Sequence, residues 1–520
     1  MRLGIDFGTT RTVVAACVNG RYPVALFETP RGYVDYLPGI ACAHDGTLDY
    51  GWETSETILT GKTLRSIKRV VGRLAPDDPV PGLHEQRAAL DLVTEYLRYV
   101  KKMLVERSNL LLDAEEPLET MVAVPANAST GQRYLTVEAF NRAGFTVIGL
   151  LNEPTAAAIE FAHENLGVVG RRSPKRYVVV YDLGGGTFDS SAVSLVDRRF
   201  ELLKSEGLGA LGGDDFDEII LELALEKAQA EGRAFDASSF DSSIRSRLLE
   251  VCREAKEGLG PASRRLLIDV AQVFPEAEPI VLDVNDVYER CQPLIDRTIE
   301  MLDRVFSSLA AYNIDVNNPR ELGAIYLVGG ATAFPPVGRT LRKLHKRKIQ
   351  LAPQPHAATA VGLAIAADPE SGIFVRESVT RNFGVWREGE HGREKIFDPI
   401  LLKDTRAPED APLVVERSYW PVHPVGHLRF IECTDLDRHG QPAGDLTPWV
   451  NLYFPYDPAL AGIEDLSQVP VNRQEGGHGE IVETYTYSAD GSLTIAIQNR
   501  THGYGRKYVV PWRSSLATDV

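Results

Sequence analysis

The chain has 520 residues, 44% of them hydrophobic and 25% charged, with a formal net charge of −16. At roughly 150 residues per domain this is enough for about three compact units with a large buried core. The acidic balance argues against a duplex nucleic-acid partner, because a phosphate backbone calls for a concentrated basic face, but it leaves room for a small anionic ligand in a local site.

From Arg2 to about Ala367 the pattern alternates between strand and helix, which marks an α/β region. Strands are predicted at Leu3–Phe7 and Thr12–Val18, a helix at Leu90–Glu106, a strand at Thr120–Val124, and helices at Gly131–Ala143 and Thr155–Glu164. Strands follow at Tyr177–Tyr181 and Ser190–Leu195, then helices at Asp214–Gly232, Ile244–Lys256 and Val287–Ala311, and a strand at Ala324–Val328. The densest basic stretch, Leu341–Lys348, reads as a solvated helix end. After about Asp368 helical periodicity fades. Short alternating runs take over at Leu413–Arg417, His427–Cys433, Trp449–Phe454, Glu483–Tyr487, Leu493–Ile497 and Lys507–Trp512, with Asp490-Gly491 as a hairpin turn. The organisation expected is an α/β unit over 1–370, a partly apolar linker over 371–379 and an all-β, sandwich-like domain over 380–520.

Cys17, Cys42, Cys252, Cys291 and Cys433 form no CxxC pair, so a zinc site is not expected, and their odd number suits reduced thiols in a cytosol. The N-terminus opens on a strand pattern rather than a basic-then-apolar leader. No window approaches the roughly eighteen apolar residues of a membrane span. A cytoplasmic protein with no membrane partner is expected.

Two glycine-rich turns carry the chemistry. One strand ends in Asp6-Phe7-Gly8-Thr9-Thr10 and another begins at once; farther on, a strand ends in Asp182-Leu183-Gly184-Gly185-Gly186-Thr187 and again a strand follows. The two acids are 176 positions apart (182 minus 6), so duplicated strand–turn–strand units are expected to form two related lobes across a cleft. Glycine lets backbone N–H groups approach phosphate oxygens and tolerates positive φ, while Thr9, Thr10 and Thr187 add hydroxyl donors. Asp6 and Asp182, at the strand ends, suit magnesium, which keeps several waters and takes one or two carboxylates; Asp189 lies just beyond. Asp6–Thr10 alone fits an Asx turn equally well. Three consecutive glycines are costly to order and rarely serve structure alone.

Three further features bear on the same cleft. Leu151-Asn152-Glu153-Pro154-Thr155 opens a helix, so Glu153 is either an ordinary first-turn acid or a group near the magnesium and attacking water. Gly212-Gly213 places amides at a helix N-terminus, and Gly329-Gly330 ends a strand where backbone contact with a nucleoside is possible. Gly61-Lys62-Thr63 resembles the end of a P-loop, but position 56 is Glu and no strand precedes it, so it reads as a helix-flanking turn.

At this point the chain resembles the heat shock protein 70 family, the DnaK-type chaperones of the actin-like ATPase superfamily. The resemblance rests on Gly4–Thr10, Ile67–Arg73, Val124-Pro125-Ala126 with Gln132-Arg133, Asn152–Ala158, Tyr181–Asp189, Leu211–Asp217 and Val328-Gly329-Gly330, which together span nearly all of 1–368. It implies ATP or ADP with magnesium, and potassium as a further ion. It also implies a catalytic Lys68 that stabilises charge on the γ-phosphate, Asp6 and Asp182 holding magnesium through water, and Thr187 touching the γ-phosphate. Asp182, or else Glu153, would orient the attacking water. Gly8, Thr9, Thr10, Gly184, Gly185, Gly186, Gly212, Gly213, Gly329 and Gly330 would line the nucleotide, Lys256 would reach the ribose, and Pro125 and Arg133 would couple the site to the second domain.

The resemblance is weaker beyond the α/β unit. Pro399–Pro408 and the Tyr485–Ile497 hairpin resemble parts of the family's peptide-binding β-domain, with Leu428 and Phe430 either pocket residues or core strand residues. Departures are also expected. Few residues follow the last strand, so no helical lid is anticipated, and the stretch from Arg73 to Leu90 is short. Ala331 and Ala333 stand where the family carries base-contacting residues, Glu257 and Gly260 replace residues near the base, and Arg376 interrupts an apolar linker. The function implied is an ATPase chaperone acting on unfolded or client polypeptides with a J-domain co-chaperone and a nucleotide exchange factor. The alternative is a nucleotide-gated scaffold for one dedicated protein partner. Nothing marks a sugar site, and the appended β-domain argues against a filament former or a small-molecule kinase of the same fold.

Overall fold

A computed structural model describes residues 1–519 apart from 31, 56, 58–60, 73, 83–86, 114, 166–173, 197–198, 233–239, 241, 317, 319, 346–347, 377–378, 390–393, 404, 406–410, 471–476, 489–492 and 511–517. Two compact units emerge: Met1–Ala126 with Leu135–Val375, and Asn127–Tyr134 with Arg376–Val520.

The first unit is built on two sheets of matching design. Strand Arg2–Phe7 pairs antiparallel with Arg11–Ala16 and parallel with Glu119–Val124, which is itself parallel to Thr146–Asn152. Strand Tyr177–Leu183 repeats this arrangement: antiparallel to Phe188–Ser194, parallel to Leu322–Val328, and through that strand parallel to Ile349–Leu351. The registers agree as well. Phe7 faces Thr12 and Leu183 faces Phe188, each partner displaced by the same 176 positions (183 minus 7; 188 minus 12). The expected pair of related lobes is therefore present in strand order, direction and register.

Burial on both faces explains why the central strands read as continuous apolar runs. In Tyr177–Leu183, Tyr177, Val179, Tyr181 and Leu183 enter one core, while Val178 and Val180 enter another shared with helix Glu153–Glu164. That helix buries Ala156, Ala157 and Ala158 completely and packs against helix Ala358–Ala367. The approach is so close that a Cβ on Gly362 would lie 1.8 Å from the Ala156 carbonyl oxygen. Small residues here fix where the helix begins, and hence where Glu153 stands.

Two expectations need correction in this unit. Lys62–Leu64 is a strand paired with Ala41–His44, so Gly61-Lys62-Thr63 is the entry to a strand rather than a helix-flanking turn. Phe374–Arg376, read as linker, is a short strand at the edge of the second lobe's sheet, next to Arg199–Leu208. Among the described residues no helix is long and apolar enough to cross a membrane.

The second unit is all-β in its C-terminal part. One sheet runs Glu394–Leu401, Asn382–Gly389, Val425–Leu436, Pro442–Pro455; the other runs Leu413–Tyr419, Ile481–Tyr487, Leu493–Asn499, Tyr504–Val510, Thr518–Asp519. Phe383 and Phe430 of the first sheet share a core with Tyr485 and Ile495 of the second, which is the sandwich expected. Tyr487 pairs with Leu493 across the anticipated hairpin, whose Asp490-Gly491 turn lies outside the described residues. Leu428 and Phe430 are core residues: both are buried, and Phe430 stacks on Phe383 at 5.2 Å. The short piece Asn127–Tyr134 belongs to this unit through Thr130, whose N–H donates to Glu432 at 3.1 Å, and through Arg133, which donates to Thr380 at 3.5 Å.

Candidate nucleotide and catalytic site

The two glycine turns are closed in the same way. Gly8 N–H donates to the Arg11 carbonyl and Gly184 N–H to the Thr187 carbonyl, each at 3.0 Å. Across the cleft they touch. A Cβ on Gly185 would meet the Thr10 side chain at 2.2 Å, and one on Gly186 would meet Thr9 at 2.7 Å. Among the described residues, the amides of Thr9, Thr10, Gly185 and Gly186 have no backbone acceptor. Four donors without a backbone acceptor, two of them on glycines where a Cβ would collide with the facing turn, could cradle phosphate oxygens.

Gly212-Gly213 supports this cradle differently from the expectation. Gly213 N–H donates to the Gly184 carbonyl at 2.9 Å and Asp214 N–H to the Gly185 carbonyl at 2.6 Å. These helix N-terminal amides are taken by the turn itself, so they shape it instead of pointing at a ligand. A Cβ on Gly212 would strike Gly185 O at 2.5 Å. Gly329 is left-handed, with φ +83°, and lies against Asp182, where a Cβ would fall 2.5 Å from Oδ1. A side chain there would be both strained and obstructed.

Lys68 reaches the cleft along a relay of backbone bonds. Gly39 N–H donates to the Thr10 carbonyl at 2.8 Å, and Ile67 N–H to the Gly39 carbonyl at 3.0 Å. The short helix Ile67–Val71 is thus hung from the first turn. It is tied to the other lobe by Ser66, which is left-handed at φ +56° and donates its hydroxyl to Asp214 at 2.7 Å. Lys68 Nζ donates to Glu153 Oε1 at 2.5 Å. Burial pulls the Lys68 pKa down, but Glu153, Asp6 and Asp182 together outweigh it and hold the ammonium above its ordinary value.

Asp6, Asp182 and Asp189 are buried carboxyls whose surroundings favour the protonated form. Burial, opposed by Lys68 and reinforced by Glu153, pushes Asp6 up to about 7. Burial with Glu153 and Asp6 pushes Asp182 up to about 8, and burial with Glu153 and Asp182 raises Asp189 well above the carboxylate range. A bound divalent ion would favour their ionised forms. Among the described residues no three His, Cys, Asp or Glu groups are placed to hold a metal directly. Asp6 and Asp182, two carboxylates near the ends of equivalent strands, could hold an ion that keeps most of its waters, as magnesium does. Asp189 is also spaced by Gly207, where a Cβ would lie 2.3 Å from its Oδ1.

Lys256 is almost wholly buried. Its Nζ lies 2.7 Å from Asp217 Oδ1 and donates to the Gly213 carbonyl at 2.7 Å. An ammonium has three donors, and these two contacts use two of them. Gly330 is open, with the nearest atoms to a Cβ at 3.9 Å on Arg11 and His356.

Sequence reasoning gave no role to three charged or titratable residues that stand beside the glycine turns. Arg69 pairs with Asp214 at 3.8 Å and Asp215 at 3.7 Å, beside Gly186. His356 meets Asp35 at 2.8 Å near Gly330. Arg11, the residue immediately after Thr10, pairs with Glu257 at 2.6 Å. Arg11 had a local signal, a charge directly after the first turn, and Arg69 stands directly after Lys68 in Ile67–Arg73, whereas His356 had none.

Residues 99–381 match the family model described as Hsp70 protein. The chain belongs to the Hsp70 family. It is 30% identical over 524 residues to the chaperone protein HscA of Proteus mirabilis, covering 96% of this chain and 76% of that protein. It is 29% identical to an HscA homolog of Methylobacillus flagellatus, covering 98% and 78%, and 27% identical to one of Acinetobacter baylyi, covering 96% and 76%.

Proposed function

We infer that this Hsp70-family chain is an ATP-dependent chaperone: it hydrolyses ATP to ADP and phosphate in the cleft and uses the nucleotide state to control its hold on client polypeptides. The observation carrying this reading is the meeting of the two glycine turns around unclaimed amides, with the Lys68–Glu153 pair and two buried aspartates beside them. Phosphoryl transfer of this kind is catalysed mainly by position and charge, which is what these groups supply.

Magnesium, when bound, neutralises phosphate charge. Asp6 and Asp182 would hold it through water from the ends of equivalent strands, and Asp189, ionised in the presence of that charge, would add negative charge behind them. Lys68, kept protonated by Glu153, places a fixed positive charge beside the transferred phosphoryl group. Asp182 accepts a hydrogen bond from the attacking water, Thr187 donates its hydroxyl, and Gly8, Gly184, Gly185 and Gly186 admit the phosphate chain. Lys256 and the Gly329-Gly330 turn face the nucleoside. Pro125 and Arg133 relay the nucleotide state, with Arg133 reaching Thr380. The partners are client polypeptides, a J-domain co-chaperone and a nucleotide exchange factor, in a cytoplasm. The relatives are named chaperones, which favours this reading over a scaffold for one dedicated partner.

The test is ATP turnover measured alone, with a J-domain protein and with an unfolded peptide. Stimulation by either addition is expected. Turnover that is absent in all three conditions would overturn the reading.

A further inference from the structure

Arg11 occupies a position that the internal repeat makes informative. It closes the first turn as Thr187 closes the second, displaced by 176 positions (187 minus 11), and Thr187 is the residue assigned to phosphate. Its guanidinium stacks 4.2 Å over the Tyr36 ring and lies near Gly330. Its partner is Glu257, on helix Ser242–Glu257 of the opposite lobe, whose two carboxylate oxygens both lie 2.6 Å from the same Arg11 nitrogen. Both side chains reach solvent, at 19% and 44% exposure, so this pair can exchange partners.

Glu257 also has a second partner in place. Arg253, one turn earlier on the same helix, directs its Nε to within 4.0 Å of Glu257 Oε1. That Nε is buried and has no hydrogen-bond partner among the described residues. A buried unsatisfied donor is unfavourable, and a small shift of Glu257 away from Arg11 would satisfy it. The structure shows the carboxylate on Arg11, with the Nε of Arg253, whose Nη2 donates to Glu250, within reach as a second partner. A guanidinium binds phosphate in the same forked way that it binds carboxylate.

Resting on the nucleotide-site reading above, we propose that Arg11 is a ligand for the nucleotide's phosphate chain and that Glu257 is an internal anion which holds Arg11 until phosphate displaces it. On displacement Glu257 closes onto Arg253. Phosphate occupancy is thereby coupled to release of an ion pair joining the two lobes. The carboxylate competes with the ligand, so the two residues have opposite effects on affinity.

The experiment is calorimetric binding of ADP, AMP and adenosine, with magnesium, to the full chain and to R11Q, R11K and E257Q. Arg11→Gln should weaken ADP about tenfold and leave adenosine unchanged, as expected for loss of one charge-assisted contact. Arg11→Lys, which keeps the charge without the fork, should fall between. Glu257→Gln should tighten ADP several-fold. Weakening of ADP by the same factor in R11Q and E257Q would show a cross-lobe tie only and overturn the proposal, as would unchanged ADP affinity in R11Q or an equal loss for adenosine. No ADP binding by the unaltered chain would overturn the nucleotide reading itself, and this inference with it.

Discussion

Lys68 and Glu153 are 85 positions apart in sequence, yet Nζ of one donates to Oε1 of the other at 2.5 Å, with Asp6 and Asp182 close enough to act on the same ammonium. Glu153 is the first residue of its helix, so its backbone is fixed by the Ala156–Gly362 contact, while Lys68 is fixed by the Thr10–Gly39–Ile67 relay. Two independent supports meet at one hydrogen bond. Removing the ammonium should leave the cradle standing. Lys68→Ala is therefore expected to retain nucleotide binding and to lose turnover by at least about 10²-fold, the scale of one preorganised electrostatic group. Single-turnover hydrolysis alongside equilibrium binding checks this; unchanged turnover would remove Lys68 from the mechanism.

The glycines give a graded test. Gly185→Ala places a Cβ 2.2 Å from the Thr10 side chain and must part the two turns. Gly329→Ala adds left-handed strain to a 2.4 Å collision with the Leu183 carbonyl oxygen. Gly209→Ala, outside both turns, meets nothing within 4 Å. Nucleotide affinity should fall by about tenfold or more in the first two, since misplacement of the order of 1 Å is that costly, and stay near that of the parent in the third. Equal effects at Gly329 and Gly209 would contradict the assigned geometry.

Local pattern and site geometry were legible in the sequence to different depths. The phosphate turns were visible because glycine needs no context: three in a row after a buried strand constrain the backbone whatever surrounds them. The 176-position repeat was likewise visible, and strand register carries it through. Arg199–Leu208 and Asn382–Gly389 were passed over, since Glu201, Lys204, Glu206, Arg387 and Glu388 mask their strand periodicity. The strand Pro442–Pro455 was seen only as Trp449–Phe454, because Pro448 interrupts its pattern; there the pairing with Val425–Leu436 shifts register. The use of the Gly213 and Asp214 amides by the second turn, and the pairing of Arg11 with Glu257, depend on the lobes meeting and have no sequence signal of their own.

The β-domain carries a buried charge that its sequence does not announce. Glu483 is fully buried and accepts from Arg387 at 2.7 Å, Tyr419 at 2.5 Å and Tyr485 at 2.6 Å. Arg387 also donates to Asp398 at 2.7 Å. Taking away one member leaves the others desolvated and unpaired. Glu483→Ala should destabilise the second unit by about 3 kcal/mol or more, whereas Thr484→Ala, on the outward face of the same strand, should change it by less than about 1 kcal/mol. Urea denaturation followed by tyrosine fluorescence distinguishes them; similar midpoints would mean that the network contributes little.

Glu160 offers a pH test away from the phosphate cradle. It is two turns along the helix from Glu153, buried, and accepts the Tyr326 hydroxyl at 2.5 Å. Burial, opposed by the Tyr326 bond and aided by Glu164, pushes its pKa up to about 7 from an ordinary 4.5. A raised carboxyl pKa means that the fold prefers the protonated acid. Its contribution to stability is complete below about pH 4.5 and is lost as pH rises to about 7. Asp6 and Asp182 are raised too and act with the same sign, so the informative quantity is the difference between parent and variant. Glu160→Gln, neutral at every pH, should gain stability relative to the parent by about 2–3 kcal/mol between pH 5 and pH 8 in the absence of nucleotide. Chemical denaturation at four pH values across that range measures it, and a difference independent of pH would show that Glu160 does not titrate within the fold as proposed.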